Sequence, residues 1–248
     1  MNRLLKVEMY RLKHSQLIKY LILGCLLVAF FPLIGYMGVY ESLSDVTAKI
    51  GFAFYAQTGV MLIIGFVPNI ICVHIGRSFK YKMINYEIME GHSNSKIIIS
   101  RIISCVTVMT IGIMACIILY LGILAAANGK GDTLNYFGSR IILMAIYFIH
   151  LIVMSVLLCM TLRNGVLAAV VIYFRCTLFD MGIVAILQGI TGDFKEKILN
   201  FFLAGQWSQI TTGEVNANLV IWVVVSFIIE NGILFIIALY SMKKKEFK

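Results

Sequence analysis

The chain has 248 residues, 60% of them apolar and only 13% charged, with a formal charge of +9 and a mean hydropathy of +0.93. Apolar runs of twenty or more residues and the presence of only two prolines exclude an ordinary soluble domain and a disordered linker, and mark an all-α, polytopic membrane protein. The positive charge raises the question of nucleic acid, which the placement of the cations answers below.

The first element, MNRLLKVEMYRLKHS, reads as an amphipathic helix over about residues 1–16. At about 100° per residue, Met1, Leu4, Leu5, Met9 and Leu12 cluster on one side and Arg3, Lys6 and Lys13 lie opposite. With Arg11, these cations suit anionic headgroups, so the segment is expected to lie in the interface on membrane lipid. A tail that only sets topology is the plainer alternative. Glu8 interrupts the apolar face.

Six spans follow, at about 17–39, 52–75, 97–127, 141–162, 166–187 and 219–240. Each meets the roughly 20 residues a helix needs to cross a bilayer core. No small-residue cleavage site follows the first apolar run, so it is an uncleaved span rather than a signal peptide. Pro68 and Asn69 predict a kink in the second. The third is longer than required, which places Ser100, Arg101 and Ser104 at the interface. Arg163, Asn164 and Gly165 form a tight turn between the fourth and fifth. The six cysteines lie in or beside these runs without CxxC or metal-ligand spacing, and read as small buried hydrophobes.

Between the second and third spans, Tyr81, Ile84 and Ile88 form one i, i+3, i+7 stripe, and Phe79, Met83 and Tyr86 a neighbouring one. Lys80, Lys82, Glu87 and Glu90 are interspersed. The spacing predicts a short helix over about 79–90, ended by Gly91, with Ser93 or Ser95 capping the next span. Such a helix is suited to dock a soluble partner and transmit its motion rigidly.

The cations decide orientation. Fifteen of the twenty-one Lys and Arg lie in the N-terminal segment, the loop after the second span, the 163–165 turn and the tail, against five on the alternate connections. Both termini and the 76–96 loop are therefore expected in the cytoplasm. The charge is a topology signal and does not call for nucleic acid. The last outward connection carries an apolar patch (Ile198, Leu199, Phe201, Phe202, Leu203, Trp207) too short to cross. A re-entrant or interfacial helical pair and a cap over the bundle both fit.

Arg175, Asp180 and Glu230 fall inside spans, where each costs at least about 2.5 kcal/mol at the bilayer centre and needs a partner. Arg175 and Asp180, five residues apart, lie about 140° apart on an α-helix and make poor partners. Arg175 lies roughly 15 Å into span five from the cytoplasm and Glu230 roughly 16 Å into span six from outside. That predicts an Arg175–Glu230 pair, either fixing helix register or serving gating or substrate contact. Asp180, nearer the outer face, is expected to be solvated or to face a cavity.

No G-x-x-x-x-G-K-[ST] loop is present; NGKGDT (128–133) lacks the spacing. H-E-x-x-H and G-x-S-x-G are missing too, and the four histidines are scattered, which argues against an enzyme or a metal site. Any ATP chemistry must come from another polypeptide.

YRLKHSQLIKYLIL near the start and FKYKMINYEIMEGHSNSKIIISRIIS after span two resemble the permease subunits of ABC transporters of the type 2 exporter family. The resemblance implies six transmembrane helices, an N-terminal interfacial helix, a cytoplasmic coupling helix and a partly re-entrant final external loop. It also implies partners: cytoplasmic ATP-binding subunits holding ATP and Mg, and a second permease, identical or not. Phe79, Lys80, Tyr81, Met83, Ile84, Glu87, Ile88 and Gly91 would then couple to the ATPase. Gly91, Ser93 and Lys96 match the family pattern, whereas Asn94 replaces the usual arginine. The small size is similar to that of lantibiotic-immunity and bacitracin-resistance permeases, which implies export of antimicrobial peptides across a bacterial plasma membrane. The residues alone leave open a non-ABC secondary transporter or channel with Arg175, Asp180 and Glu230 as an ion relay.

Overall fold

The computed structural model describes residues 2–15, 66–128, 130–180, 201–212 and 217–244, with isolated positions at 19–20, 22–24, 26, 182–183 and 186. Every regular element among them is helical: α1 (Asn2–Lys13), α2 (66–80), α3 (Met83–Met89), α4 (Asn94–Asn128), α5 (Lys130–Leu162), α6 (Gly165–Tyr173, continuing as a π-helix over Phe174–Phe179), α7 (Leu203–Thr212) and α8 (Ala217–Lys244). Helices are what an oily chain must form, because each backbone N–H and C=O is then satisfied within its own segment. The polar side chains in these helices follow the same rule. Ser155 donates to the Leu151 carbonyl (2.6 Å) and Thr161 to that of Leu157 (2.8 Å), one turn back.

Among the described residues, three helices are long and apolar enough to cross a membrane, within Asn94–Tyr120, Arg140–Leu162 and Ala217–Lys243; Gly165–Phe179 is a shorter apolar helix. The protein is accordingly membrane-embedded. The expected 17–39 span lies almost wholly outside the described residues, as do 52–65 and the outer end of the fifth span. The expected connection at 128–140 differs: α4 runs to Asn128 and α5 begins at Lys130, with Gly129 outside the described residues.

Helix α5 is the centre of the bundle. Two-thirds of its apolar stretch (67%) is buried, against 28% for α4 and 17% for α8, and α4, α6, α7 and α8 all pack on it. Tyr147, Phe148, Leu151, Ile152, Val156 and Leu157 form its buried face. The outer helices turn Ile111, Ile118, Ile228, Ile233 and Ile236 outward, a surface that fits lipid tails rather than water.

Helices α2 and α6 approach closely through two glycines. A methyl on Gly165 would meet the Cys72 carbonyl oxygen at 2.3 Å, and one on Gly76 would meet the Gly165 Cα at 2.9 Å. Small residues allow the backbones to touch, as in many membrane helix pairs. The turn before α6 is as tight as expected. Arg163 takes a left-handed backbone (φ 55°), and the Asn164 side chain accepts from the Val166 and Leu167 amides, capping α6. Arg163 Nη2 donates to the carbonyls of Ser241 (2.6 Å) and Met242 (3.2 Å), which fastens the end of α8 to this turn.

Candidate functional site

Two buried ion clusters stand out. The first lies where α1, α2, α3 and α4 meet. Arg101 of α4 has no exposed surface; its Nη1 donates to Glu8 of α1 (2.6 Å) and Ser78 of α2 (3.1 Å). Its Nη2 donates to both carboxylate oxygens of Glu87 of α3 (2.9 and 3.1 Å). Arg11 bridges the same two carboxylates, at 2.7 Å from Glu8 and 2.8 Å from Glu87. Two guanidiniums thus balance two carboxylates, and His74 Nε2 lies 3.6 Å from Glu8.

Burial by itself pushes the Glu8 carboxyl up; His74, Arg101 and Arg11 outweigh it and hold the carboxyl below its ordinary 4.5. Burial lowers Arg11, but Glu87 and Glu8 outweigh that and raise it. Removing one member would strand an opposite charge in a dry site, so the cluster specifies how α1, α3 and α4 dock.

Several expectations change here. Arg101, expected at the start of the third span, is wholly buried in this cluster. Arg11 faces inward, towards Glu8 and Glu87, while Arg3, Lys6 and Lys13 remain exposed. Glu8 sits on the buried face between Leu4 and Leu12, one turn from each, where Arg101 makes it fit.

The short helix is α3, Met83–Met89, rather than 79–90. Phe79 and Lys80 end α2, Tyr81 and Lys82 form the turn, and Lys82 adopts a left-handed backbone (φ 54°). Ile84 and Glu87 are buried and Met83 and Ile88 partly so, whereas Tyr81, Tyr86 and Met89 project outward. The two sequence stripes thus divide, each burying one end and exposing the other. Gly91 ends the helix as its glycine implied: φ is +85°, the Gly91 amide donates to the Ile88 carbonyl (2.9 Å), and the His92 amide to that of Glu87 (3.2 Å). Ser93 then precedes α4, its carbonyl accepting from the Ile97 amide (3.1 Å).

The second cluster lies inside the bundle. Arg175 Nη2 is 2.9 Å from Glu230 of α8, and Glu230 is 3.3 Å from Nε2 of His150 on α5. Glu230 is mid-way along α8, roughly 20 Å from either end. Arg175 also pairs with Asp180, contrary to the α-helical expectation. The reason is the π-helix: the Asp180 amide donates to the Arg175 carbonyl, and i→i+5 bonding brings residue 180 back over residue 175. Asp180 is fully buried rather than solvated.

The Arg175 guanidinium also lies 5.3 Å from the ring centre of Phe179 and 5.5 Å from that of Phe202. Phe202 immediately precedes α7, and α7 can be tracked by depth. Ile210 offers its carbonyl to Arg140 Nε (3.2 Å), the Trp207 ring lies tilted 5.0 Å from that of Tyr147, and Gln206 Nε2 donates to Ser226 Oγ (2.6 Å). From Arg140 to His150 on α5 is roughly 15 Å. Helix α7 therefore packs along the bundle from the level of Arg140 to that of the Arg175 cluster. Residues 187–200 lie outside the described residues.

Sequence reasoning missed Glu8, His74, Ser78 and Arg101 as one site, and His150 in the other. The signals were a carboxylate on an apolar face and an arginine inside IIISRIIS, each needing a buried partner. No protein-family model matches the chain, and no curated protein matches it.

Proposed function

We propose that the chain is the permease subunit of an ATP-driven exporter of the ABC type 2 class, with six spans and both termini cytoplasmic. In this reading it works in a bacterial plasma membrane and pairs with a second permease. ATP and Mg reside on separate cytoplasmic ATPase subunits, and the substrate is hydrophobic or amphipathic, such as an antimicrobial peptide. One observation carries the reading. A seven-residue helix, α3, is clamped to α1 and α4 by a charge-balanced buried cluster while its Tyr86 and Met89 face outward with Tyr81 beside them. A rigid lever with an uncovered aromatic face between membrane helices suits a soluble motor that must push on the bundle. The short motifs around Gly91 support the same class, with Asn94 as their departure.

Co-purification tests it. The tagged chain should bring down an ATPase encoded beside it, and Tyr81→Asp with Tyr86→Asp should release that subunit while the permease remains folded. Absence of any nucleotide-binding partner from the wild-type preparation would sink the reading.

The second cluster favours an alternative. One guanidinium faces two carboxylates, Asp180 and Glu230, with His150 beside them. Such a group inside a membrane is also the make-up of an ion relay, and a secondary transporter would show transport driven by a pH gradient with no ATPase bound.

A further inference from the structure

We infer that the cleft between α2 and α6 is a binding site for an anionic phospholipid. The cleft has a volume of about 820 Å³ and lies where the Gly76–Gly165 contact holds the two helices. Its size is within the roughly 300–1,000 Å³ range of sites that enclose small molecules. Its two ends differ in chemistry. Arg77 and Lys80 at the end of α2 and Arg163 at the turn before α6 line one end, and among the described residues no acidic one lines any part. Val73 and Val170 line the shaft above them, which follows α6 from Gly165 to Tyr173, roughly 12 Å along the helix.

A cationic mouth on an apolar shaft is complementary to a phosphate headgroup with its acyl chain. The route of entry agrees: Val166, Val170 and Tyr173 are 76%, 58% and 56% exposed, so the shaft opens sideways towards the surrounding bilayer. Arg163 separates this cleft from an ordinary fringe of topology-setting cations. Its guanidinium is anchored on the Ser241 and Met242 carbonyls, its backbone is left-handed, and its Nε is buried without a hydrogen-bond partner. A cation fixed in this way at the mouth adds its charge to those of Arg77 and Lys80, to which an anionic headgroup is complementary. The inference holds whether or not an ATPase couples to α3.

Native mass spectrometry of the full-length purified protein tests it, using phosphatidylglycerol and phosphatidylcholine with identical acyl chains. Wild type should retain phosphatidylglycerol with at least a five-fold preference, roughly the contribution of one cation near a membrane surface. Arg77→Gln with Lys80→Gln should abolish that preference, and the charge-conserving pair Arg77→Lys with Lys80→Arg should keep it. Val170→Trp, which fills the shaft, should reduce retention of both lipids. Equal retention of the two lipids by wild type overturns the proposal without reliance on any variant. So does a preference that survives charge neutralisation, or efficient cross-linking of Val170→Cys between two copies in native membranes, which would mean that a second chain covers the cleft.

Discussion

Arg101 on α4 holds Glu8 of the N-terminal helix at 2.6 Å across ninety-three residues of chain, and the same guanidinium holds Glu87 of α3. Three helices that share no local sequence are thereby fixed on one buried side chain. Arg101→Met should leave two carboxylates buried with one partner fewer and destabilise the protein by about 3–5 kcal/mol. Combining it with Glu8→Gln and Glu87→Gln should recover most of that loss, read as the thermal midpoint in detergent. A single variant as stable as wild type would show that the cluster contributes nothing to docking.

Acid should loosen α1. The Glu8 carboxyl is held below its ordinary 4.5 in the folded protein, so the unfolded chain takes up its proton at the higher pH. Its contribution to stability is therefore complete above about 4.5 and is lost as pH falls through the folded value. Thermal midpoints measured from pH 7 down to about pH 3 should drop at the acid end, below about 4.5. Glu8→Gln should flatten that drop; an unchanged acid response in the variant would assign the effect to other carboxylates.

Exchanging Arg175 and Glu230 should not restore the protein. A simple pair would tolerate Arg175→Glu with Glu230→Arg, but here the exchange puts a second carboxylate beside Asp180 and a guanidinium beside His150. Folded yield should stay low in the double variant and rise when Asp180→Asn is added. Full recovery by the double exchange alone would remove Asp180 from the cluster.

Glycines in similar helices should respond oppositely. Gly165→Ala forces a methyl into the Cys72 carbonyl at 2.3 Å and should cost about 1–3 kcal/mol. A methyl at Gly122 or Gly232 meets nothing within 4 Å, so those alanine variants should be neutral or stabilised by up to about 1 kcal/mol. Unfolding midpoints of the three variants, taken side by side, check the contrast.

Much of this molecule is written locally. Long apolar runs require helices in a membrane, Gly91 can take a φ of +85° where other residues strain, and Asn164 can cap the helix that follows it; each depends on neighbours within a few residues. Glu8 and Arg101 were equally legible as anomalies, a carboxylate on an oily face and a cation in an oily run. Their pairing was not, because charges far apart in sequence meet only once α1 has packed against α4. The π-helix at Phe174–Phe179 has the same origin. Spacing of five argues against an Arg175–Asp180 contact on an α-helix, and the i→i+5 backbone that permits it sits where Arg175 also reaches Glu230 of α8 and Phe202 beside α7. The sequence determined which residues could not remain alone in the membrane; the tertiary structure decided their partners, since a buried charge is satisfied by whatever the packed helices bring within about 3 Å.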